Sequence, residues 1–442
     1  MTAPSGHSPH ALSTDGIPAR SAPVPVAATA TGRARRTPRL RVAVLGAGMI
    51  GDVHLRSARA SGAEVVGVLA STAERSLAAA DRWQVEAGYP DLDAVLSDDT
   101  IDIVHVCTPN HLHVGQAVAA LRAGKHVVCE KPVATTVADA RLLAETAESA
   151  GRIVTVPFVY RYHPMVRELR ARVAAGGFGA WQLLHGSYLQ DWLLSPESTS
   201  WRVDPAAGGA SRAFADIGSH WFDLVEWVAG VRVAELLAET TTTVAERPRP
   251  GGRTFQGGAP SDAARVTVTT EDALAVVGRT TEGVLVSVTV SQVSAGRKNR
   301  LWFELDGAHA STVFDQELPE SLWLGRPDRT ETLVRDPSVN SPDAARLSVV
   351  PAGHPQGYPE CFENFVKDTY AAVRGDRPEG LPTVRDGLRS ARLVEAVMAS
   401  AARRAWTPVH DAAPTDGPTR EHEEPEERQE HEERQEHGGH LR

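Results

Sequence analysis

The chain has 442 residues, a formal net charge of −10 and 42% hydrophobic residues, which is typical of a soluble protein with about two or three domains. No polybasic patch favours nucleic acid or a membrane surface as a partner, and no apolar run approaches the ~18 residues of a membrane span. The three cysteines, Cys107, Cys129 and Cys361, form no CxxC pair. We therefore expect buried thiols in a reducing cytoplasm.

Both ends of the chain lack the periodicity of helices and strands. Residues 1–38 are rich in Ala, Pro, Ser, Thr and Arg, and residues 406–442 are Pro-rich and then charged, with a tandem hexamer from Glu426. We expect both segments to be disordered. Arg35-Arg36 before an apolar stretch imitates an export signal, but that stretch is better used as the first strand of a nucleotide-binding fold.

Strands alternate with helices between residues 39 and 158. The apolar runs predict strands over 41–45, 64–70, 102–107, 127–129 and 153–158, and helices over 50–60, 71–82, 111–123 and 137–150. Ser71 with Glu74 fits a capping box at the start of the second helix. Such alternation builds an α/β domain of the Rossmann type, with a doubly wound parallel sheet.

The rhythm changes in residues 159–405, where β-branched segments follow one another. The pattern predicts helices over 164–175, 217–228, 359–373 and 384–402, and strands over 181–188, 231–244, 264–270, 273–279, 284–293, 301–305 and 311–314. We expect an α+β domain with a large, mostly antiparallel sheet that has one open face. Substrate would bind in the cleft between the domains, and the open face favours a homo-oligomer, either a dimer or a tetramer.

A glycine-rich motif, Gly46-Ala-Gly-Met-Ile-Gly51, follows the first strand and opens the first helix. Gly46 permits a tight turn, Gly48 lets the backbone approach a pyrophosphate, and Gly51 permits close helix packing. Met49 and Ile50 lie at the helix N-terminus, which attracts phosphates. The motif predicts a dinucleotide cofactor, NAD or NADP.

The second strand ends without the acidic residue that usually binds the ribose 2′-hydroxyl. Ser71 stands there instead, with Arg75 one helical turn later. A hydroxyl and a guanidinium can hold the 2′-phosphate of NADP. Ser71 can equally be only a helix cap, with Arg75 facing water, so the sequence leaves NAD and NADP both open.

Two further motifs follow the next strands, at the sheet edge where ligands bind. Thr108-Pro109-Asn110, with His113, follows one strand, and Asn110 is a candidate for the cofactor ribose or for a place near the nicotinamide. Glu130-Lys131-Pro132 follows the other. The Lys131 ammonium is a candidate to hydrogen-bond the reacting oxygen and favour its alkoxide character.

Asp216-Ile-Gly-Ser-His220 is a candidate acid–base pair. Residues four apart share one face of a helix. An aspartate beside a histidine is the arrangement of a general base whose partner orients or charges it. The other interpretation is a capping aspartate and a buried structural histidine.

These four motifs, in this order and at these spacings, resemble the Gfo/Idh/MocA family of oxidoreductases over about residues 40–405. The resemblance implies NAD(P)-dependent oxidoreduction of a sugar or polyol, with Lys131, Asp216 and His220 at the reacting carbon. Thr108, Pro109, His113 and Glu130 would lie with the cofactor-binding residues. No metal ligand is expected.

A finer resemblance connects the chain with the branch that includes anhydrosugar dehydrogenases. It rests on four segments: 188–192, 200–202, 208–210 and 296–299. The resemblance implies that six residues line the substrate or cofactor cleft: Tyr160, Arg161, Gln190, Asp191, Trp192 and Arg202. Each can equally be a packing residue.

Two other functions fit the same motifs. A tightly held NAD can oxidise and then reduce one substrate again, which makes the enzyme a redox-neutral glycosidase or epimerase. A non-catalytic NAD(P)-binding sensor is the third possibility. A set of lysine, aspartate and histidine argues against a sensor, since a binder needs no proton acceptor.

Overall fold

The computed structural model describes residues 38–249 and 264–410. Nearly all of the N-terminal segment predicted to be disordered, and residues 411–442 of the C-terminal one, lie outside the described residues. Those two predictions therefore stay predictions.

The first sheet has six parallel strands in the order β3-β2-β1-β4-β5-β6. Its strands are β1 (Arg41–Leu45), β2 (Glu64–Leu69), β3 (Ala87–Gly88), β4 (Ile103–Val106), β5 (His126–Cys129) and β6 (Val154–Thr155). Its helices are α1 (Met49–Ala60), α2 (Ala73–Trp83), α3 (Leu92–Leu96), α4 (Asn110–Arg122) and α5 (Val137–Ala150). This order is that of the doubly wound Rossmann sheet, so the predicted fold of this region is confirmed.

Capping side chains and a glycine determine where the helices of this domain begin and end. The Thr136 hydroxyl caps α5, and Gly151 ends the helix in the left-handed conformation that glycine adopts without strain. The start of α2 differs from the prediction, because its cap is Thr72, whose hydroxyl accepts from the Arg75 backbone N–H at 3.2 Å. The predicted Ser71 capping box is therefore wrong.

The second sheet has nine strands in the order β16-β15-β14-β13-β7-β12-β11-β8-β17. Its strands are β7 (Trp181–Leu189), β8 (Val233–Thr241), β11 (Ala273–Thr280), β12 (Leu285–Ser291), β13 (Arg300–Gly307), β14 (Ser311–Asp315), β15 (Ser321–Arg326), β16 (Arg329–Val334) and β17 (Thr407–Pro408). A separate pair is formed by β9 (Glu246–Pro248) and β10 (Arg265–Thr267). Only β7 and β12 pair in parallel, so the predicted mostly antiparallel sheet is confirmed.

Six helices belong to the second half of the chain. They are α6 (Pro164–Ala174), α7 (Pro205–Gly208), α8 (Ser219–Ala229), α9 (Pro342–Leu347), α10 (Tyr358–Val373) and α11 (Val384–Arg403). A π-helical segment, Phe214–Gly218, runs directly into α8. Apolar side chains of α6, α8 and α11 cover one face of the nine-stranded sheet. The other face carries half-buried and exposed side chains, among them Val277, Leu285 and Trp323.

Two features blur the domain boundaries drawn from the sequence. Phe362, Phe365 and Tyr370 of α10 belong to the core beneath β1, so this late helix completes the first domain. At the other end, β17 pairs with β8, and Val409 is buried. The fold thus extends beyond residue 405, because backbone pairing holds residues 407–408 at the edge of the sheet although the sequence there resembles that of the C-terminal segment.

Candidate active site

The glycine-rich loop leaves room for a ligand on one side only. Gly46 has φ +102°, and a Cβ there would lie 2.5 Å from the Cys107 carbonyl oxygen. A Cβ on Gly51 would lie 2.0 Å from the Gly46 carbonyl oxygen, whereas one on Gly48 would meet no atom within 4 Å. Gly48 precedes α1, whose first two residues, Met49 and Ile50, are exposed and half-buried. This geometry fits a pyrophosphate at the N-terminus of α1.

Ser71 and Arg75 form a polar pair beyond the end of β2. Arg75 Nη1 donates to Ser71 Oγ at 2.9 Å, and both residues are exposed. Because Thr72 caps the helix, the Ser71 hydroxyl is not used as a cap. The pair therefore presents a hydroxyl and a positive charge to solvent beside the nucleotide loop.

The residues after β4 hold neighbouring loops in place. Pro109 caps α4, and the Thr108 hydroxyl donates to Gln116 Oε1 at 2.7 Å. Asn110 Nδ2 donates to the Gly208 carbonyl at 2.9 Å. His113 is buried, with one ring nitrogen 2.8 Å from the Thr108 carbonyl and the other 2.8 Å from that of Pro132. Since both ring nitrogens are occupied by backbone, the expectation that His113 contacts the cofactor is not supported.

Glu130 is buried under the loop that carries Lys131. Its Oε2 accepts from the Lys131 backbone N–H at 3.1 Å, and its Oε1 lies 3.0 Å from His54 Nε2. His54 Nδ1 in turn lies 2.9 Å from His105 Nδ1. Burial acts to raise the pKa of Glu130, but the hydrogen bond and charge of His54, together with Lys131 and His113, lower it below its usual value. Glu130 thus fixes the backbone of Lys131. The sequence predicts Glu130 to lie against the cofactor, and the structure shows it buried beneath the loop instead.

Lys131 and Asp216 form a largely buried ion pair between the two sheets. Lys131 Nζ donates to Asp216 Oδ1 at 2.8 Å and to the Asp216 carbonyl at 2.7 Å. Burial acts to raise the pKa of Asp216, but Lys131 and then Arg202, whose Nε is 3.5 Å away, hold the pKa below its usual value. The peptide bond between Lys131 and Pro132 is cis.

His220 lies beside this pair but forms no hydrogen bond with Asp216. Asp216 belongs to the π-helical segment, and His220 is the second residue of α8. Instead Asp216 Oδ2 accepts from Gln292 Nε2 at 2.8 Å. The predicted orientation of His220 by Asp216 is therefore corrected: the carboxylate binds Lys131 and Gln292.

The His220 ring is held in an apolar and aromatic environment. It is 8% exposed and packs edge-to-face against Phe158 and Tyr160, with ring centroids 5.6 and 5.0 Å away. Within the described residues, its Nδ1 is buried and has no hydrogen-bond partner. Burial lowers the pKa of His220 well below its usual value, Lys131 lowers it further, and Asp216 opposes this. The imidazole is neutral at pH 7 and able to accept a proton.

A network of hydroxyls and amides continues from His220. The Tyr160 and Tyr188 hydroxyls are 2.7 Å apart, and Tyr188 donates to Asn299 Oδ1 at 2.8 Å. Gln190 Nε2 donates to the same oxygen at 2.7 Å, and Trp192 Nε1 donates to Gln190 Oε1 at 2.9 Å. The structure thus brings together three of the six residues predicted to line the cleft.

The other three differ in their surroundings. Arg202 stacks over Trp201 and approaches Asp216. Asp191 faces Lys298, whose Nζ is 2.7 Å from Asp191 Oδ2, at the exposed edge of the cleft. Arg161 is buried and pairs with Asp223 and Asp386. The Nε and Nη2 donors of this guanidinium already face two carboxylates, which favours a structural role for Arg161 over its predicted place against substrate.

Sequence reasoning omitted Gln292, Asn299 and Tyr358 from the site. Asn299 stands in the 296–299 motif, which was the one available signal. Tyr358, at the start of α10, has its ring 6.3 Å from that of Tyr160. Gln292 follows β12 and carries no motif, and the packing of β12 against the π-helical segment brings it to Asp216.

One cluster of possible metal ligands lies on the open face of the nine-stranded sheet. Within the described residues, His185, Glu304 and Asp306 place their ligand atoms within 4.8 Å of one another. They alternate with Leu184 and Leu305, which face the core. The cluster therefore lies on the opposite side of the sheet from Tyr188 and His220.

Comparison with known proteins decides the family. Residues 40–158 match the model of the oxidoreductase family with an NAD-binding Rossmann fold, and residues 166–313 match the GFO/IDH/MocA C-terminal domain. The chain belongs to the Gfo/Idh/MocA family. The family assigned from the motifs is confirmed, and so is the assignment as an NAD-binding oxidoreductase.

One relative and two solved structures match the chain along nearly their whole length. Levoglucosan dehydrogenase of Pseudarthrobacter phenanthrenivorans is 29% identical over 391 residues, which cover 84% of this chain and 98% of that protein. The crystal structure of an oxidoreductase domain protein from Kribbella flavida is 32% identical, with a TM-score of 0.75. The match covers 84% of this chain and 99% of that chain. A levoglucosan dehydrogenase structure in complex with NADH and L-sorbose is 28% identical, with a TM-score of 0.76 and the same coverage of both chains.

Proposed function

We propose that this oxidoreductase transfers hydride between NAD(P) and a ring hydroxyl or carbonyl of a sugar, anhydrosugar or polyol. The observation that carries the proposal is the convergence of the Lys131–Asp216 ion pair with the neutral, buried His220. These groups meet beyond the carboxyl edge of the Rossmann sheet, where ligands of open α/β sheets bind. The full-length similarity to a levoglucosan dehydrogenase supports the substrate class.

Each of the three side chains has one role in the proposed reaction. In the oxidation direction His220 accepts the hydroxyl proton, since its imidazole is neutral at pH 7. The Lys131 ammonium stabilises the negative charge that develops on the oxygen as the C–H hydride departs and the carbonyl forms. Asp216 holds Lys131 in place through Oδ1. The bound nicotinamide supplies the hydride acceptor.

The substrate would lie against the network that extends from His220. Gln190, Trp192 and Asn299 offer amide and indole groups, and Tyr160 offers a hydroxyl. Such groups exchange hydrogen bonds readily with the several hydroxyls of a sugar ring, and the aromatic faces pack against its C–H groups. Arg202 and Asp191 would complete the polar rim.

We also propose that the enzyme uses NADP as well as NAD. An acidic residue at the end of β2 would repel a 2′-phosphate, and this position holds Ser71. Arg75 already contacts the Ser71 hydroxyl at 2.9 Å. The pair can accept the ribose hydroxyl of NAD or pair with the phosphate of NADP.

The test is the appearance of reduced nicotinamide in purified protein, with NAD and NADP in parallel. The substrates are levoglucosan, myo-inositol, glucose and 1,5-anhydroglucitol. We expect turnover on at least one of these classes with either cofactor. Bound cofactor without net reduction, while a glycoside is cleaved or epimerised, would replace the proposal by the redox-neutral reaction. Bound cofactor with no conversion of any kind would favour a sensor.

We propose that the open face of the nine-stranded sheet is covered by a second copy of the chain. The exposed Val277, Leu285 and Trp323 support this, because apolar side chains on an open sheet favour association. Light scattering of the purified protein should give a dimer or tetramer, and Trp323→Glu should shift it towards monomer. A monomeric wild type would overturn this part.

We propose a cytoplasmic location. Cys107, Cys129 and Cys361 are buried and free, as expected in a reducing compartment. No helix within the described residues is long and apolar enough to cross a membrane. Cell fractionation checks the proposal, and recovery of the protein outside the cytoplasm would contradict it.

A further inference from the structure

The Asp216 carboxylate is held from two sides. Oδ1 accepts from Lys131, and Oδ2 accepts from Gln292 Nε2, both at 2.8 Å. Gln292 is fully buried and follows β12, and none of the sequence motifs includes it. The bond to Gln292 determines which carboxylate oxygen remains for the lysine.

The orientation of the Gln292 amide is fixed by its two neighbours. Its Oε1 accepts from Arg212 Nη1 at 3.2 Å, while its Nε2 faces Asp216. A guanidinium only donates hydrogen bonds and a carboxylate only accepts them. Only one orientation of the amide satisfies both neighbours, so Gln292 presents its donor to Asp216.

Arg212 is itself anchored in the core of the domain. It is buried and pairs with Asp272, and its Nε donates to Thr270 Oγ1 at 3.1 Å. The same Asp272 accepts from the Val244 backbone N–H at 2.9 Å and from Arg247 Nη2 at 3.2 Å. The guanidinium therefore has little freedom to turn, and the position of Gln292 follows from that of Arg212.

The neighbouring Glu271 fixes the backbone of the same segment. Its carboxylate accepts from Ser211 Oγ at 2.7 Å, from the Arg212 N–H at 3.0 Å and from the Phe214 N–H at 2.9 Å. These donors lie at the N-terminus of the helical segment that carries Asp216, where a carboxylate is favourable. The adjacent residues Glu271 and Asp272 thus hold the backbone and the side-chain contacts of Asp216.

We propose that Gln292 is a positioning residue for the reaction, held by Arg212 and the Glu271–Asp272 pair. Rotation about the last torsion of an aspartate is broad. Without the Gln292 donor, the Asp216 carboxylate can turn away from Lys131. The inference rests on the proposed function, because Lys131 and Asp216 act at the reacting oxygen there.

The substitution Gln292→Glu tests this through pH. A protonated glutamic acid at this position donates to Asp216 Oδ2 as the amide does. When it ionises, two carboxylates face each other at hydrogen-bonding distance and repel. The charged and titratable groups around them are Lys131, Arg202, Arg212, His220, Arg247, Glu271 and Asp272, with the hydroxyls of Tyr160, Tyr188 and Tyr358.

Gln292→Met is the matched variant of similar size without donor or acceptor, and we expect it to lower kcat about 10- to 100-fold through misplacement of the site. The decisive readout is the ratio of kcat/KM between Gln292→Glu and Gln292→Met across pH. We expect this ratio to rise about 10-fold or more as pH falls. A ratio that stays flat, or a wild-type rate in Gln292→Met, would overturn the proposal. The exposed Gln182→Glu is the control for charge alone.

A second measurement does not depend on turnover. In the double variant Gln292→Glu with Asp216→Asn, an amide again faces a carboxylate. In Gln292→Glu alone, we expect Tm to fall more steeply with rising pH than in the wild type. In the double variant, this additional fall should disappear. If the wild type proves inactive, the proposed function fails while this exchange still reports on the bond. Equal pH dependence of Tm in the single and double variants would contradict the bond itself.

Discussion

The two sheets contribute to the site in different ways. The parallel sheet supplies the glycine-rich loop, Ser71 and Lys131 from segments that follow β1, β2 and β5, and these strand ends meet at one edge by topology. The mixed sheet supplies Gln292 and Asn299, from strands whose pairing joins distant parts of the chain. The first region is therefore suited to hold a cofactor largely through backbone, and the second to act on substrate through side chains.

The largest expected effect sharpens this division. His220→Ala should lower kcat by about 10²- to 10⁴-fold, because it removes the proton acceptor. The Kd for NAD(P) should stay unchanged, since His220 belongs to the second region. Steady-state kinetics and cofactor titration by fluorescence measure the two quantities. The exposed His309→Ala is the control, and an unchanged kcat in His220→Ala would remove His220 from the mechanism.

The second effect tests whether Arg161, in the domain of the nine-stranded sheet, stabilises the fold or binds substrate. Arg161→Met should lower the free energy of unfolding by about 3–5 kcal/mol, because it leaves the buried Asp223 and the half-buried Asp386 without their cationic partner. Arg385→Met is the matched control, since its ion pair with Glu148 is exposed, and it should change stability by under about 1 kcal/mol. Denaturant unfolding measures both. A raised KM for sugar in Arg161→Met at unchanged stability would restore the role expected from the sequence.

The third effect addresses the parallel-sheet half. Ser71→Asp should weaken NADP about 10- to 100-fold relative to NAD, because the new carboxylate repels the 2′-phosphate and competes for Arg75. The ratio of kcat/KM for the two cofactors measures the change, and kcat with saturating NAD should persist. Ser97→Asp, exposed and outside the β2 end, is the control. An unaltered ratio would place the adenosine ribose away from Ser71.

The smallest effect concerns the pH dependence of activity, which His220, Lys131 and Asp216 set where the two domains meet. Because the pKa of His220 is lowered, kcat/KM for oxidation should fall only below the usual histidine range of about 6.5. Lys131→Met removes a cation that lowers this pKa, so the acid limb should move to higher pH, by up to about one unit. Asp216→Asn should move it to lower pH. Shifts in the same direction for both variants would mean that another group titrates.

Much of the first half could be predicted, because its signals are local. The helix predicted over 137–150 is α5 itself, since Thr136 caps it and Gly151 ends it. The glycine-rich motif and Lys131 follow strands whose apolar runs are unmistakable. The motifs that carry the family could likewise be found without a structure. The prediction omitted several short elements of the described structure, among them β15 and β16, because one face of each is exposed and their pattern is weak.

The sequence by itself determined the alternation of strands and helices in the first domain, the nucleotide loop and the set of lysine, aspartate and histidine. Only the tertiary structure decided the partners of these side chains. The Asp216 carboxylate binds Lys131 and Gln292, which lie 85 and 76 residues away along the chain. Burial, which no local pattern records, encloses Arg161 beside two carboxylates and lowers the pKa of His220. Periodicity reports contacts within a turn or a strand, whereas charge and hydrogen-bond partners depend on which segments the fold brings together.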